Sequence, residues 1–282
     1  MSSRIQLKYL FEDKPYDPAV EPSDYDALDF VSAGCHLYGK ILWPDGSFAA
    51  DRPCVILLHG FPGAARSDDL AYALCRIGCV VVVPHHRGAW GSEGKYLVSN
   101  CIQDALALAD WARSPAFCRQ YRVDARAVFL AGHSMGGNTA LNAGRTLPWL
   151  RGLILMTPFD PTRALRDGHP ETLHRLLPEG DILRSDGLDA IFDDIAAHVD
   201  SWQFERAFAE VRTQNLCCVT GRLDEIAPGE QMVQPLWQKL RAAQTPAIHR
   251  LLELPAGHGL CGSRIALIRF AAQFIADALA EE

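Results

Sequence analysis

The 282-residue chain has no basic block, no long apolar run and no paired-cysteine motif. Each absence removes a class of function. Lys and Arg number 27 against 34 Asp and Glu, a formal charge of −7, whereas a nucleic-acid surface needs clustered cations to neutralise phosphates. The longest apolar runs, around Cys79–Val83 and Val128–Ala131, fall far short of the ~18 residues of a membrane span. Met1–Lys14 interleaves Arg4, Lys8, Glu12 and Asp13 with single apolar residues and lacks the continuous stretch of a secretory signal. The nine cysteines are an odd number, and no C-x-x-C pair or four-ligand zinc spacing occurs. Cys54, Cys79, Cys217 and Cys218 lie inside strand-like apolar runs, where thiols act as small hydrophobes. This cysteine usage predicts a reducing, cytoplasmic setting. No G-x-G-x-x-G follows the first strand, which argues against a dinucleotide fold.

What is present is an ordinary globular composition, 49% apolar and 22% charged. A chain of this length buries about 75% of its unfolded surface and needs no disulfide or structural metal. Residues 1–25, with Pro15, Pro18 and Pro22, read as a polar lead-in. Asp29–Trp43 reads as two strands around the turn Ala33-Gly34. Short apolar runs then alternate with amphipathic stretches. The runs are Pro53–Leu58, Cys79–Val83, Ala127–Ala131, Leu153–Met156, Leu216–Thr220 and His249–Glu253. The stretches are Asp68–Ile77, Asn100–Arg113, Met135–Leu147, Glu230–Ala243 and Ser263–Ala280. Continuous apolar strands between helices predict a parallel sheet covered on both faces. Residues 158–213 break the rhythm with four prolines and helical pieces at Asp189–Val199 and Trp202–Arg212. They read as an insertion between two strands.

Gly132-His133-Ser134-Met135-Gly136 matches G-x-S-x-G. A strand run precedes it and a helix begins after it. The sharp turn between them pushes a serine hydroxyl out of the backbone, and glycines relieve the crowding where strand and helix pass. His59-Gly60-Phe61-Pro62-Gly63 follows the first buried strand, and Arg87-Gly88-Ala89-Trp90-Gly91-Ser92-Glu93-Gly94 follows the next. On these motifs the chain resembles the α/β-hydrolase-fold serine hydrolases, from Val31 to the final helix. The second loop resembles the R-G-x-x-G-S-x-G loop of the prolyl-oligopeptidase-like and serine-aminopeptidase-like branches and of related esterases. The resemblance implies a mostly parallel sheet of about eight strands with helices on both faces. It divides the chain into a core, 1–157 and 214–282, and an inserted helical lid, 158–213, over the strand C-termini.

A serine hydroxyl is a poor nucleophile until a base, held by a third group, takes its proton. In this fold the partners follow in the order serine, acid, histidine. By the resemblance the base is His258, in the loop Leu254–Gly259, and the acid is Asp224, in the G-x-x-D turn after Leu216–Thr220. Asp160, after Leu153–Met156, is the rival acid. The expected oxyanion donors are the backbone N–H groups of Phe61 and Met135, since Pro62 has none. His85-His86 is a poor chelate because neighbours on a strand end point apart, so neither metal nor cofactor is implied. His133 is expected to pack behind the elbow. Arg87 and Trp90 brace or line the site, and Trp202 and Phe204 either roof an apolar pocket or dock the insertion. The expected activity is hydrolysis of a small carboxylic ester. A peptidase with the same triad is the alternative, with Glu171, Asp193, Asp194 or Glu205 receiving a substrate ammonium. A catalytically silent ligand-binding relative is the other. The expected partner is a small-molecule ester or short peptide, with no nucleic acid and no membrane, and a homodimer is left open.

Overall fold

The computed structural model describes residues 4–48, 52–64 and 66–280. The first three residues of the expected lead-in lie outside them. An eight-stranded sheet has the order β1-β2-β4-β3-β5-β6-β7-β8. β1 (Asp24–Ser32) and β2 (Cys35–Trp43) form a hairpin that turns at Ala33-Gly34, both at positive φ. β2 meets β4 (Val80–Pro84) antiparallel. The remaining pairings among β4, β3 (Arg52–Leu58), β5 (Val123–His133), β6 (Gly152–Met156), β7 (Leu216–Gly221) and β8 (His249–Leu254) are parallel.

β3, β4, β6 and β7 are buried at every residue, as strands covered on both faces must be. Alternation then sorts side chains between two cores. Cys54, Ile56 and Leu58 join one core with α2 (Val98–Ala112) and α4 (Met135–Gly144), whereas Val55 and Leu57 join the other with α1 (Asp68–Arg76) and α11 (Arg264–Ala280).

Some local outcomes differ from the sequence expectation. The helix expected over Glu230–Ala243 is two, α9 (Gly229–Met232) and α10 (Gln234–Ala242). Pro235 sits in the first turn of α10, and a residue without an N–H cannot extend the preceding helix. The unexpected α3 (Pro115–Tyr121) starts where Ser114 Oγ accepts from Phe117 N–H at 3.2 Å and Pro115 occupies the first turn.

Between β6 and β7 the chain forms α5 (Arg163–Arg166), α6 (Glu171–Leu176), a 3-10 segment (Leu177–Ile182), α7 (Leu188–Ala197), a 3-10 turn (Phe204–Ala207) and α8 (Phe208–Val211). The helix expected at Trp202–Arg212 is thus split between the last two. Polar ties join this insertion to the core, among them two at Arg184 and one at Asp194. Arg184 donates its N–H to Gly88 O at 2.8 Å and accepts from Tyr96 N–H at 2.7 Å. Asp194 Oδ2 accepts from Ser99 N–H at 2.9 Å in the first turn of α2. Among the described residues no helix is long and apolar enough to cross a membrane.

Candidate active site

The turn from β5 to α4 holds Ser134 at φ 56°, ψ −121°, a conformation that costs a non-glycine residue of order 1–3 kcal/mol. The surrounding backbone fixes it there. Ser134 N–H donates to Met156 O at 2.9 Å, and Ser134 O accepts from the N–H groups of Gly137, Asn138 and Phe159 at 2.9, 3.2 and 3.0 Å. The two motif glycines are required by close approach. A Cβ on Gly132 would lie 2.0 Å from Gly136 O, and one on Gly136 would lie 2.3 Å from Leu58 O.

The loop after β8 brings His258 to this serine. His258 Nε2 accepts from Ser134 Oγ–H at 2.8 Å, while its Nδ1–H donates to Asp224 Oδ2 at 2.9 Å. Asp224 Oδ1 accepts from the N–H groups of Ile226 at 2.9 Å and Ala227 at 2.8 Å. The carboxylate has no solvent exposure, and the imidazole is 17% exposed. Burial pushes the Asp224 carboxyl up, but the His258 hydrogen bond, the two N–H donors and the imidazole charge together hold it below its ordinary value. It is therefore an acceptor at neutral pH and selects the tautomer that leaves His258 Nε2 bare.

Two groups position the His258 backbone. His133 Nε2–H donates to His258 O at 3.0 Å, and Thr157 Oγ–H donates to the same oxygen at 2.9 Å. Burial takes His133 down to about 4, so it is neutral. His133 thus sits against the loop that carries His258, and neither its contact nor that of Thr157 shows in sequence spacing. Asp160 is placed elsewhere. It accepts from Thr162 N–H at 2.9 Å, Thr162 Oγ–H at 2.6 Å and Arg166 Nη2 at 2.5 Å, all outside the triad.

The loop after β3 lies against Ser134. A Cβ on Gly60 would sit 2.9 Å from Ser134 Cβ, which puts the Gly60–Phe61 backbone beside the hydroxyl. A pair of buried histidines holds this loop. His59 Nδ1–H donates to Gly60 O at 2.7 Å and His59 Nε2 accepts from His86 N–H at 3.1 Å; His86 Nε2–H donates to His59 O at 3.0 Å. His85 Nδ1–H donates to Trp90 O at 3.0 Å and its Nε2 accepts from Arg66 at 2.9 Å. Burial depresses His59 and takes His86 down to about 4. These rings are neutral spacers, and among the described residues no cluster of His, Cys, Asp or Glu could hold a metal ion.

An apolar cavity opens at Ser134 and His258. The core supplies Phe61, Met135 and Ile226; the insertion supplies Phe159, Leu173, Leu176, Leu177, Ile191 and Ile195, with Glu179 the one carboxylate on its wall. None of the four expected pocket residues lines it. Arg87 is buried in an ion pair with Asp104 and also donates to Gln103 Oε1 at 3.0 Å. Trp90 is exposed and donates its Nε1–H to Pro62 O at 3.0 Å. Trp202 stacks on His198 with ring centroids 4.1 Å apart. Phe204 lies in the 3-10 turn that packs on α10 and α4. Their large side chains pack elsewhere, while the insertion's share of the cavity wall is mostly aliphatic. The wall residues had a legible signal in their i, i+4 spacing, Leu173 with Leu177 and Ile191 with Ile195, but spacing does not say which wall a stripe faces. The four carboxylates proposed for an ammonium are also absent from the lining. Glu179, which the sequence reading passed over, is there.

Comparison with known proteins follows this geometry. Residues 49–178 match the family described as serine aminopeptidase, S33. No curated protein matches the chain. Among solved structures, Est1E from Butyrivibrio proteoclasticus gives a TM-score of 0.67 at 18% identity, covering 90% of this chain and 99% of that one. A brefeldin A esterase, described as a bacterial homologue of human hormone-sensitive lipase, gives 0.67 at 17% identity over 97% and 82%. A puromycin hydrolase gives 0.66 at 18% identity, covering 95% of this chain and 41% of its own. The chain has the α/β-hydrolase fold.

Proposed function

We propose that the protein is a serine hydrolase that cleaves carboxylic esters through an acyl-enzyme. The observation that carries this reading is the unbroken hydrogen-bond chain from Ser134 Oγ through both nitrogens of His258 to Asp224, opening on an apolar cavity.

Ser134 Oγ attacks the ester carbonyl carbon as its proton passes to His258 Nε2. Asp224, ionised and unexposed, stabilises the imidazolium. The carbonyl oxygen becomes an oxyanion beside the N–H groups of Phe61 and Met135. Met135 begins α4, so its N–H has no acceptor within the helix and lies at the positive end of the helix dipole. Donors fixed in place before charge develops are the largest usual contribution to such catalysis. The intermediate collapses, the bond to the alcohol oxygen breaks, and His258 Nε2–H protonates the leaving alkoxide. Water then attacks the acyl-Ser134 ester by the same proton path, which releases the carboxylic acid and regenerates the hydroxyl. Residues 158–213 act as the lid: their aliphatic side chains exclude water from the acyl group. No step uses a cofactor.

The test is covalent. A fluorophosphonate probe labels Ser134 in the wild type, p-nitrophenyl butyrate is turned over, and Ser134→Ala loses both. Turnover retained by Ser134→Ala removes this mechanism.

A second reading, an aminopeptidase, is favoured by the matched family and by Glu179 on the cavity wall, where a carboxylate could meet a substrate ammonium. Aminoacyl p-nitroanilides hydrolysed faster than unsubstituted acyl esters would establish it.

A further inference from the structure

The cavity at Ser134 has a direction. Phe159, Leu173, Ile191 and Ile195 are each at most 3% exposed, whereas Ile226 is 39% exposed and Glu179 is also exposed. The first group forms a closed apolar floor and the second an open, charged mouth. The floor is sealed by α6 and α7 of the insertion, and α7 is fixed to the core by the Asp194–Ser99 hydrogen bond of 2.9 Å. The cavity volume is about 70 Å³. An apolar protein cavity of about 150 Å³ accepts a benzene molecule, so this one holds roughly half that, about two to four carbons. Its floor offers no polar partner to a hydroxyl, amine or carboxylate, and burying such a group unpaired is unfavourable.

Resting on the serine-hydrolase reading, we infer that the enzyme is selective on the acyl side: it takes unsubstituted acyl groups of two to four carbons, with the chain end against Ile191 and Ile195 and the alcohol directed past Ile226 and Glu179 into solvent. The acyl chain is the measured part of the substrate and the alcohol is the tolerated part. One methylene beyond a closed wall typically costs about 10–200-fold in kcat/KM. Length should therefore show as a cutoff, not a gradual decline.

Two substrate series test this. In the first, p-nitrophenyl acetate, butyrate, hexanoate, octanoate and benzoate are compared by kcat/KM; in the second, ethyl, butyl and hexyl acetates. The expected result is a maximum at acetate or butyrate, a fall of at least about 10-fold by octanoate and benzoate, and a variation of about 3-fold or less along the alcohol series. Ile195→Ala moves the maximum to hexanoate or octanoate, and Ile191→Val, the milder change, moves it in the same direction. Octanoate or benzoate matching acetate in the wild type overturns the inference, with no variant needed. So does a cutoff that falls on the alcohol series. Fluorophosphonate labelling separates the two levels. Ser134 labelled with a flat acyl profile removes the pocket assignment and leaves the hydrolase standing. Ser134 unlabelled with every ester inert removes the serine-hydrolase reading and the pocket assignment with it.

Discussion

The elbow and the insertion are built by different means. Around Ser134 the positions are fixed by backbone: four main-chain hydrogen bonds on one residue and glycines whose missing side chains leave only 2.0–2.3 Å for a Cβ. The insertion is joined to the core by side-chain and loop ties such as those at Arg184, Asp194 and Asp186, and otherwise by apolar packing. Backbone geometry is shared by all residue types and admits almost no partial adjustment. Packing accepts substitutions of similar volume with graded cost. Reactivity should therefore fail abruptly on one side of the cavity, and selectivity should shift by degrees on the other.

The sharpest way to test that contrast is the triad. Ser134→Ala should lower kcat/KM by at least about 10⁴-fold. Asp224→Asn should lower kcat by about 10⁴-fold, because the amide favours the wrong imidazole tautomer. Steady-state kinetics with a melting curve checks both, and the fold should be retained in each. Loss of folding in Asp224→Asn would place that residue among the supports of the structure instead. Next comes Gly136→Ala, whose new methyl group would meet Leu58 O at 2.3 Å and His59 O at 2.5 Å. Neither is a side chain that can move aside, so a loss of about 2–4 kcal/mol in urea unfolding is expected.

The third prediction is the acid response of the core side. His86 and His133 are depressed to about 4 by burial, from an unfolded value near 6.5. Between those values the unfolded chain binds protons that the folded chain refuses. Their contribution is complete above about pH 6.5 and is lost as pH falls toward 4. Unfolding free energies from urea titrations at about pH 7.5 and about pH 5 should differ by roughly 2–4 kcal/mol, and His86→Gln should reduce the difference. The smallest effect belongs to the insertion. Asp194→Ala removes the acceptor at the start of α2 and should cost about 1 kcal/mol, with a shift in acyl-length preference larger than the loss of kcat. An equal fall on all substrates would mean that the insertion supports the elbow, and the contrast would fail.

The same division explains what the sequence discloses. Strands such as Val80–Pro84 and the turn at Ser134 are short-range consequences of residue type: β-branched runs, glycines at a close approach, a serine between them. The order of Ser134, Asp224 and His258 along the chain follows from the topology that lays β5, β6, β7 and β8 in succession across one sheet. The cavity does not follow from either. Leu173 and Ile195 are apolar residues on short helices, and which of them face Ser134 is decided by how α6 and α7 dock, a long-range outcome. Large aromatics drew attention as pocket formers, yet Trp202 stacks on His198 and Phe204 is buried in a turn that lies against α10 and α4. Arg87, in a motif loop, spends its charge on buried Asp104. The hydrogen bonds from His133 and Thr157 to His258 O join residues more than a hundred positions apart, beyond any local pattern.

Gly180 sets a boundary on future variants. A methyl group there would lie 2.3 Å from the Phe61 ring, so at that spot the roof has already been pared to a hydrogen atom. Excavation for bulkier substrates has nothing left to remove beside Phe61. Space is gained instead by shortening side chains on α6 and α7, such as Leu173 and Ile195, which gives an engineer adjustable helices and one fixed point at Phe61.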